Sequence, residues 1–240
     1  MRLCLIPLKT MPRQPHENLE RLRIRLEQAS RFRPDLVCLP ECTLTGYLYE
    51  TADFTRFAEP ADGPTTIAMA GLARQYHTHL CFGFLESSPE GAYNSAVFLD
   101  RNGSVLHLHR KISEKPPFLN GQTIESFDTS LGRLVVLICG DLFQSGLEEK
   151  VSRDTKLALV PMSRSFDSVS PNPQRWQSEE RQVYLDAVRD LGIPAAIVNA
   201  LDDASNDVAF GGALLVNGQG ELLAESPHGS DDILLWEVVE

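Results

Sequence analysis

The stretch from Gly132 to Asp141, Gly-Arg-Leu-Val-Val-Leu-Ile-Cys-Gly-Asp, constrains the fold more than any other. Leu134 to Ile138 are five consecutive aliphatic residues bounded by turn formers, the pattern of a short strand buried on both faces. Such strands belong to α/β architectures, in which ligands and reactive groups collect at the carboxyl edge of the sheet. Cys139 stands at that edge and is a candidate nucleophile. A cysteine there can equally be a small buried hydrophobe, and this segment alone does not decide between the two. Gly140 leaves room beside the sulfur for a substrate or for an unusual backbone angle.

Around this strand the chain alternates helical and extended patterns. Arg2 to Leu8 reads as a first strand, and Leu19, Leu22, Leu26, Ala29 and Phe32 fall at helical spacing. Leu36 to Leu39 is a second short strand, stopped by Pro40-Glu41, which completes a βαβ unit. Tyr47, Tyr49 and Phe54 fall in a loop. Gly63-Pro64 opens another helix, and Leu80 to Leu85 is extended. Asn94–Asp100 and Ser104–His109 flank Arg101-Asn102-Gly103, an Asn-Gly hairpin signal. That hairpin delivers Lys111 to a strand end, and the prolines after it mark a loop through Gly121.

Farther on, Glu125 to Thr129 reads as an edge strand and Leu147 to Asp154 as a short helix. Leu157 to Pro161 is another buried strand, and the irregular segment 162–173 is placed to line a pocket. Trp176 to Leu191 has helical spacing and ends at Gly192, before a strand at Ala195 to Val198. A hairpin across Asn217 to Gly220 and a strand from Ile233 to Val239 close the chain.

Length and composition narrow the function classes. The 240 residues contain no Pro/Gly/Ser-rich linker, so one domain spanning 1–240 is expected. A formal net charge of -11 with scattered acids argues against phosphate-backbone binding, and hence against a nucleic-acid partner. No apolar run reaches membrane-spanning length and the first residues do not form a signal peptide, so no membrane partner and a cytoplasmic location are expected. Five cysteines without paired spacing fit free thiols.

Two further residues attract attention. Glu41 lies just past an apolar strand, where partial burial would raise its pKa toward the range of a general base; a solvated or turn-capping glutamate is the competing account. His77-x-His79 and His107-x-His109 are two pairs that could chelate zinc if each pair shares a strand face, but no acidic residue completes a ligand pattern, and a solvated hairpin face looks the same.

Three expected strand ends thus carry Glu41, Lys111 and Cys139, in that order. With their flanking residues they resemble the nitrilase superfamily of carbon-nitrogen hydrolases. Leu36-Val37-Cys38-Leu39-Pro40-Glu41 followed by Thr45-Gly46-Tyr47 is similar to the family's glutamate motif, Arg110-Lys111 to its lysine motif, and Ile138-Cys139-Gly140-Asp141 to its cysteine motif. Glu114, with Phe118 and Gly121, resembles the loop of a second glutamate, although it follows Lys111 closely. Asn199 and the region 211–220 resemble later strands, so the similarity spans nearly the whole chain.

The resemblance implies an α/β four-layer αββα sandwich, assembled as a homodimer or larger homo-oligomer, and a cofactor-free thiol hydrolase of a small amide or N-carbamoyl compound. Cys139 would be the nucleophile, its thiolate stabilised by Lys111, and Glu41 the proton shuttle. Lys111 would hold the oxyanion with the backbone N–H of Gly140 or Asp141, and Glu114 would orient Lys111 or the substrate by hydrogen bonding. Where many relatives have an aromatic residue after the cysteine, Gly140 is expected to enlarge the pocket. Tyr47, Phe143, Phe166 and Trp176 are candidate substrate walls, and Arg164 or Arg175 a candidate partner for a substrate carboxylate. Nitrile hydrolysis by the same triad, a catalytically silent binding protein and a metal-dependent hydrolase are the alternatives.

Overall fold

Period-two alternation sorts the apolar strand residues into three cores, and these cores define the layers. A computed structural model describes residues 1–165, 172–202 and 209–237. The first half contains β1 (Arg2–Leu5), β2 (Lys9–Thr10), α1 (Pro15–Ser30), β3 (Leu36–Cys38), α2 (Thr51–Phe57) and α3 (Pro64–Tyr76). It continues through β4 (His79–Ser88), β5 (Gly91–Leu99) and β6 (Val105–Arg110). The second half contains β7 (Ser126–Thr129), β8 (Gly132–Val136), α4 (Leu147–Lys150), β9 (Leu157–Met162), α5 (Pro173–Arg175) and α6 (Arg181–Leu191), with a π turn at Trp176–Glu180 joining the last two. Then come β10 (Ala195–Asn199), β11 (Leu201–Asp202), β12 (Ala213–Val216), β13 (Leu222–Ser226) and β14 (Leu234–Glu237).

Two six-stranded mixed sheets result, in the orders β14-β1-β3-β4-β5-β6 and β13-β12-β10-β9-β8-β7, with β2 and β11 as a separate parallel pair. On β1, Leu3 and Leu5 enter the same core as Leu134, Val136 and Ile138 of the other sheet, so the two sheets pack face to face. Cys4 and Ile6 turn the other way, onto Leu22 and Leu26 of α1 and Met69 and Leu72 of α3. On the far side, Val135 and Leu137 meet Tyr184, Val188 and Leu191 of α6. Helix, sheet, sheet, helix is the four-layer α/β sandwich that the resemblance implies. The unbroken apolar runs follow directly, because every central strand is covered on both faces.

Local differences from the sequence reading have identifiable causes. Phe54 lies on α2 rather than in a loop; seven residues give too few turns for a helical period to show. Its ring packs 4.6 Å from that of Phe118. The first strand stops at Leu5, and the helix expected over 147–154 covers only Leu147–Lys150, because Val151 is extended. Val238 and Val239 of the expected last strand, and 166–171 of the irregular segment, lie outside the described residues. No helix among the described residues is long and apolar enough to cross a membrane.

One contact ties the fold to the turn after β3. Gly83 of β4 accepts from Thr43 N at 2.9 Å and donates to Pro40 O at 3.1 Å, so the 40–43 turn lies flat on the strand. A Cβ on Gly83 would stand 2.6 Å from Glu41 Cα and 2.7 Å from Cys42 N, both backbone atoms with little room to move. Gly83→Ala is therefore expected to cost about 1–3 kcal/mol through overpacking, read as a lower urea midpoint at unchanged m-value. A wild-type midpoint would show that the turn is not seated on β4 in this way.

Candidate active site

Three strand ends meet between the sheets. Glu41 follows β3, and its backbone N–H reaches Met162 O on β9 of the opposite sheet at 3.3 Å. Lys111 follows β6; its N–H donates to Asn94 O at 2.9 Å, and its carbonyl accepts from Gly121 N at 2.8 Å. Cys139 opens a short 3-10 turn after β8. Its φ of 48° is left-handed, an uncommon and costly conformation for a residue with a side chain, and it turns the chain sharply at the sulfur.

The unusual angle expected near the thiol therefore falls on Cys139 itself and not on Gly140, which has no positive φ. A Cβ on Gly140 would lie 3.0 Å from Ser113 Oγ, so a side chain there would press on Ser113.

Lys111 Nζ donates to Glu41 Oε1 and to Glu114 Oε2, each at 2.8 Å, and all three side chains are almost fully buried. Glu114 thus reaches Lys111 despite its close spacing in sequence. Asn94, fully buried on β5, donates through Nδ2 to the same two carboxylate oxygens. One ammonium and one carboxamide bridge two carboxylates in a closed ring. Among the described residues the remaining oxygen of Glu41, Oε2, is buried without a hydrogen-bond partner.

The charges in this ring hold one another. Burial alone would push the Lys111 pKa down, but the neighbouring carboxylates, Glu41 first, more than reverse that, and the ammonium stays protonated. Burial likewise works to raise Glu114, and Lys111, with donors on Tyr47 and Asn94, brings it below its ordinary value. The Tyr47 phenol, pushed up by burial and by the two carboxylates, stays neutral and hydrogen-bonds Glu114. Its ring lies under Lys111 Nζ, 5.5 Å from the ammonium.

Cys139 differs from the sequence expectation. Burial and the charge of Glu41 raise its thiol to about 12, outweighing the lowering effects of Lys111 and of the Ser163 backbone N–H. The sulfur rests as a thiol, not as a lysine-stabilised thiolate, and needs a base at the moment of attack.

Of the other predicted residues, Trp176, Phe143 and Arg164 meet at Tyr184. Asp141 N–H donates to Ile138 O at 3.0 Å, so it is committed to its own turn and not open to an oxyanion. Gly140, at the start of that turn, is the backbone donor left for the role. Trp176 is buried, its indole N–H donating to Glu225 at 2.6 Å, and it packs on Tyr184, Phe210 and His228. Phe143 is 44% exposed and meets Tyr184 edge-on. Phe166 lies outside the described residues. Arg175 pairs with Glu180 at 2.6 Å, whereas Arg164 bonds the Tyr184 side chain, whose hydroxyl lies near Cys139.

The two His-x-His pairs differ in setting: His107 and His109 share a face of β6, whereas His77 and His79 stand on either side of the start of β4. His77 ends α3 in a left-handed conformation, and His79 bonds Asp35 O and Ser130 Oγ. His107 stacks on Phe127 at 4.3 Å, where burial takes its pKa down to about 4, and His109 bonds Asp141. Among the described residues no group of three or more His, Cys, Asp or Glu is placed to hold a metal ion. Asn94 and Ser113 were missed from sequence. The available signal was Asn94-Ser95, a polar pair inside an otherwise apolar hairpin arm, where buried polar groups require partners.

Comparison with known proteins follows the same lines. The family model described as carbon-nitrogen hydrolase matches residues 5–239. The chain belongs to this family. Among its relatives, this carbon-nitrogen hydrolase is 26% identical to "Probable nitrilase C965.09" of Schizosaccharomyces pombe over 80% of each chain. It is 25% identical to the omega-amidase NIT2 of Bos taurus, over 100% of this chain and 88% of the relative. Its fold matches that of an amidase from Nesterenkonia sp. AN1, with a TM-score of 0.82 and 22% identity, covering 100% of this chain and 93% of that one. That structure is of a glutamate-to-glutamine mutant with acrylamide added at the active-site cysteine.

The raised thiol gives a direct check. The ultraviolet thiolate absorbance of the wild type minus that of Cys139→Ala should show no step until the pH passes about 9, above the ordinary cysteine value of roughly 8.5. A step near pH 7 would mean that Lys111 dominates the thiol after all.

Proposed function

We propose that this chain is a thiol hydrolase that cleaves a non-peptide C–N bond of a small amide or N-carbamoyl compound through a cysteine thioester. The observation that carries the reading is the ring around Lys111. Two carboxylates share one ammonium, and one of them keeps a buried oxygen, Glu41 Oε2, without a partner. A buried acceptor with nothing to accept is costly unless it has work to do. Beside a neutral thiol, that work is to take a proton.

In the proposed reaction Cys139 Sγ attacks the carbonyl carbon while its proton passes to Glu41. The S–C bond forms and the carbonyl electrons move onto oxygen. Lys111 Nζ and the N–H of Gly140 hold that oxyanion, each donor worth about 3 kcal/mol in comparable sites. The oxyanion collapses, the C–N bond breaks, and Glu41 returns the proton to the departing nitrogen as ammonia or amine leaves. Water then attacks the thioester and gives a proton to Glu41. The S–C bond breaks, the acid departs, and the sulfur recovers its proton.

Glu114 keeps Lys111 charged and in place, because an ammonium buried against a single partner that changes protonation would lose its balance during the cycle. The amidase from Nesterenkonia, whose active-site cysteine takes up acrylamide, supports the choice of nucleophile, and the omega-amidase relative supports a small amide as substrate. Tyr47, with Phe54 and Phe118 behind it, is the proposed wall next to the ring.

Ammonia release over a panel of small amides, N-carbamoyl compounds and nitriles, with Cys139→Ala as blank, tests the proposal. An amide or carbamoyl compound should turn over, and Cys139→Ala should lose more than about a thousandfold in kcat while keeping the wild-type thermal midpoint. A comparable rate from folded Cys139→Ala would refute the thiol mechanism. Turnover of nitriles alone would refute the substrate class.

A further inference from the structure

Asp141 lies two residues after Cys139, inside the nucleophile turn; it is fully buried, and among the described residues its one ion-pair partner is His109. A lone buried carboxylate is expensive, and this one is offset by five donors. Oδ1 accepts from Ile112 N at 3.0 Å, Ser113 N at 3.2 Å and Ser113 Oγ at 2.8 Å. Oδ2 accepts from Ile138 N at 3.1 Å and His109 Nε2 at 2.8 Å.

These donors come from two places in the chain. His109 lies two residues before Lys111, and Ile112 and Ser113 directly follow it; Ile138 directly precedes Cys139. A single side chain therefore grips the backbone on both sides of the ammonium and at the base of the sulfur turn. Ser113, gripped in this way, is also the residue packed against Gly140. The two groups assigned to the oxyanion, Lys111 Nζ and Gly140 N–H, follow strands of opposite sheets, and this carboxylate links their segments directly.

From this geometry we infer that Asp141, seated by His109, is a positioning residue: its carboxylate sets the spacing of the Lys111 ammonium and the Cys139–Gly140 turn that the tetrahedral intermediate requires. The inference rests on the hydrolase reading above. Only a carboxylate serves, since it presents about four lone-pair directions and no donor. An asparagine would accept at one oxygen and turn an NH2 group toward donors on the other side. The sequence reading assigned Asp141 a backbone role, but its carboxylate holds the two segments together.

The test separates oxyanion stabilisation from thiol reactivity. Alkylation of Cys139 by iodoacetamide displaces iodide and forms no oxyanion, so it reports the sulfur alone. In Asp141→Asn, kcat for an amide should fall about a hundredfold, the loss typical of slightly misplaced groups, with KM within about threefold. The alkylation rate constant, followed by mass spectrometry of the Cys139 peptide, should fall less than about fivefold. If Asp141→Asn does not fold, the His109 variants carry the test: His109→Phe should lose kcat, and His109→Gln, which keeps an N–H donor, should recover most of it.

Wild-type kcat in folded Asp141→Asn would overturn the inference, as would alkylation that falls in step with kcat. A His109→Gln protein as impaired as His109→Phe would do the same. A wild-type protein without Cys139-dependent turnover would remove the hydrolase reading and this inference with it, whereas normal wild-type turnover with unaffected variants would remove the inference alone.

Discussion

One buried ammonium between two carboxylates is the interaction on which the site depends. Lys111 cannot be buried alone, because desolvation would neutralise it, and neither Glu41 nor Glu114 can be buried without a cation. Each makes the others tolerable, and together they keep a charged cluster in a space otherwise walled by the two sheets. Asn94 completes the arrangement from both ends: its carbonyl fixes the Lys111 backbone and its amide ties the two carboxylates. The four-layer sandwich contributes what a single sheet could not. It lets β3 and β6 present the charged ring from one side while β8 presents the sulfur from the other.

This arrangement resolves an apparent conflict in the chemistry. A cation next to a cysteine ordinarily favours the thiolate, yet here Lys111 is already balanced by carboxylates, and the net field with burial favours the neutral thiol. The nucleophile is dormant until a proton acceptor acts, and the acceptor is held at hydrogen-bond distance from the very ammonium that would stabilise the developing charge. In the proposed mechanism, proton transfer and oxyanion stabilisation are coupled through one hydrogen bond, Lys111 Nζ to Glu41 Oε1. Left-handed backbone at both Cys42 and Cys139 places strain on the two turns that carry acid-base group and nucleophile, where a rigid, fully bonded surrounding can sustain it.

Much of this was legible in the chain because burial on both faces writes itself as uninterrupted aliphatic runs, each ended by a turn former at the position that matters. Leu36–Leu39 before Pro40-Glu41 and Leu134–Ile138 before Cys139 are of this kind. The layer order was not legible from pattern, since nothing in an apolar run says whether a sheet or a helix covers it; the family resemblance carried that step. Contacts between segments distant in sequence were invisible for the same reason. His109 looked like half of a metal pair and Asp141 like a backbone donor, because their bond to each other spans 32 residues. Gly140 gave no sign in the sequence of its neighbour Ser113, which comes from the lysine loop. That Trp176 and Phe143 both meet Tyr184 was likewise hidden, because aromatic residues do not reveal from sequence which way they face.

The central claim is that sulfur and carboxylate act as a pair, and the most direct measurement traps the acyl group. Wild type and Glu41→Gln would each be mixed with a turned-over amide, quenched in acid within a turnover, and the adduct located by intact mass and peptide mapping. The account predicts an acyl group on Cys139 in the wild type and none in Glu41→Gln, whose amide cannot take the thiol proton. An acyl group on another residue, or one that forms equally fast on Cys139 in Glu41→Gln, would contradict it.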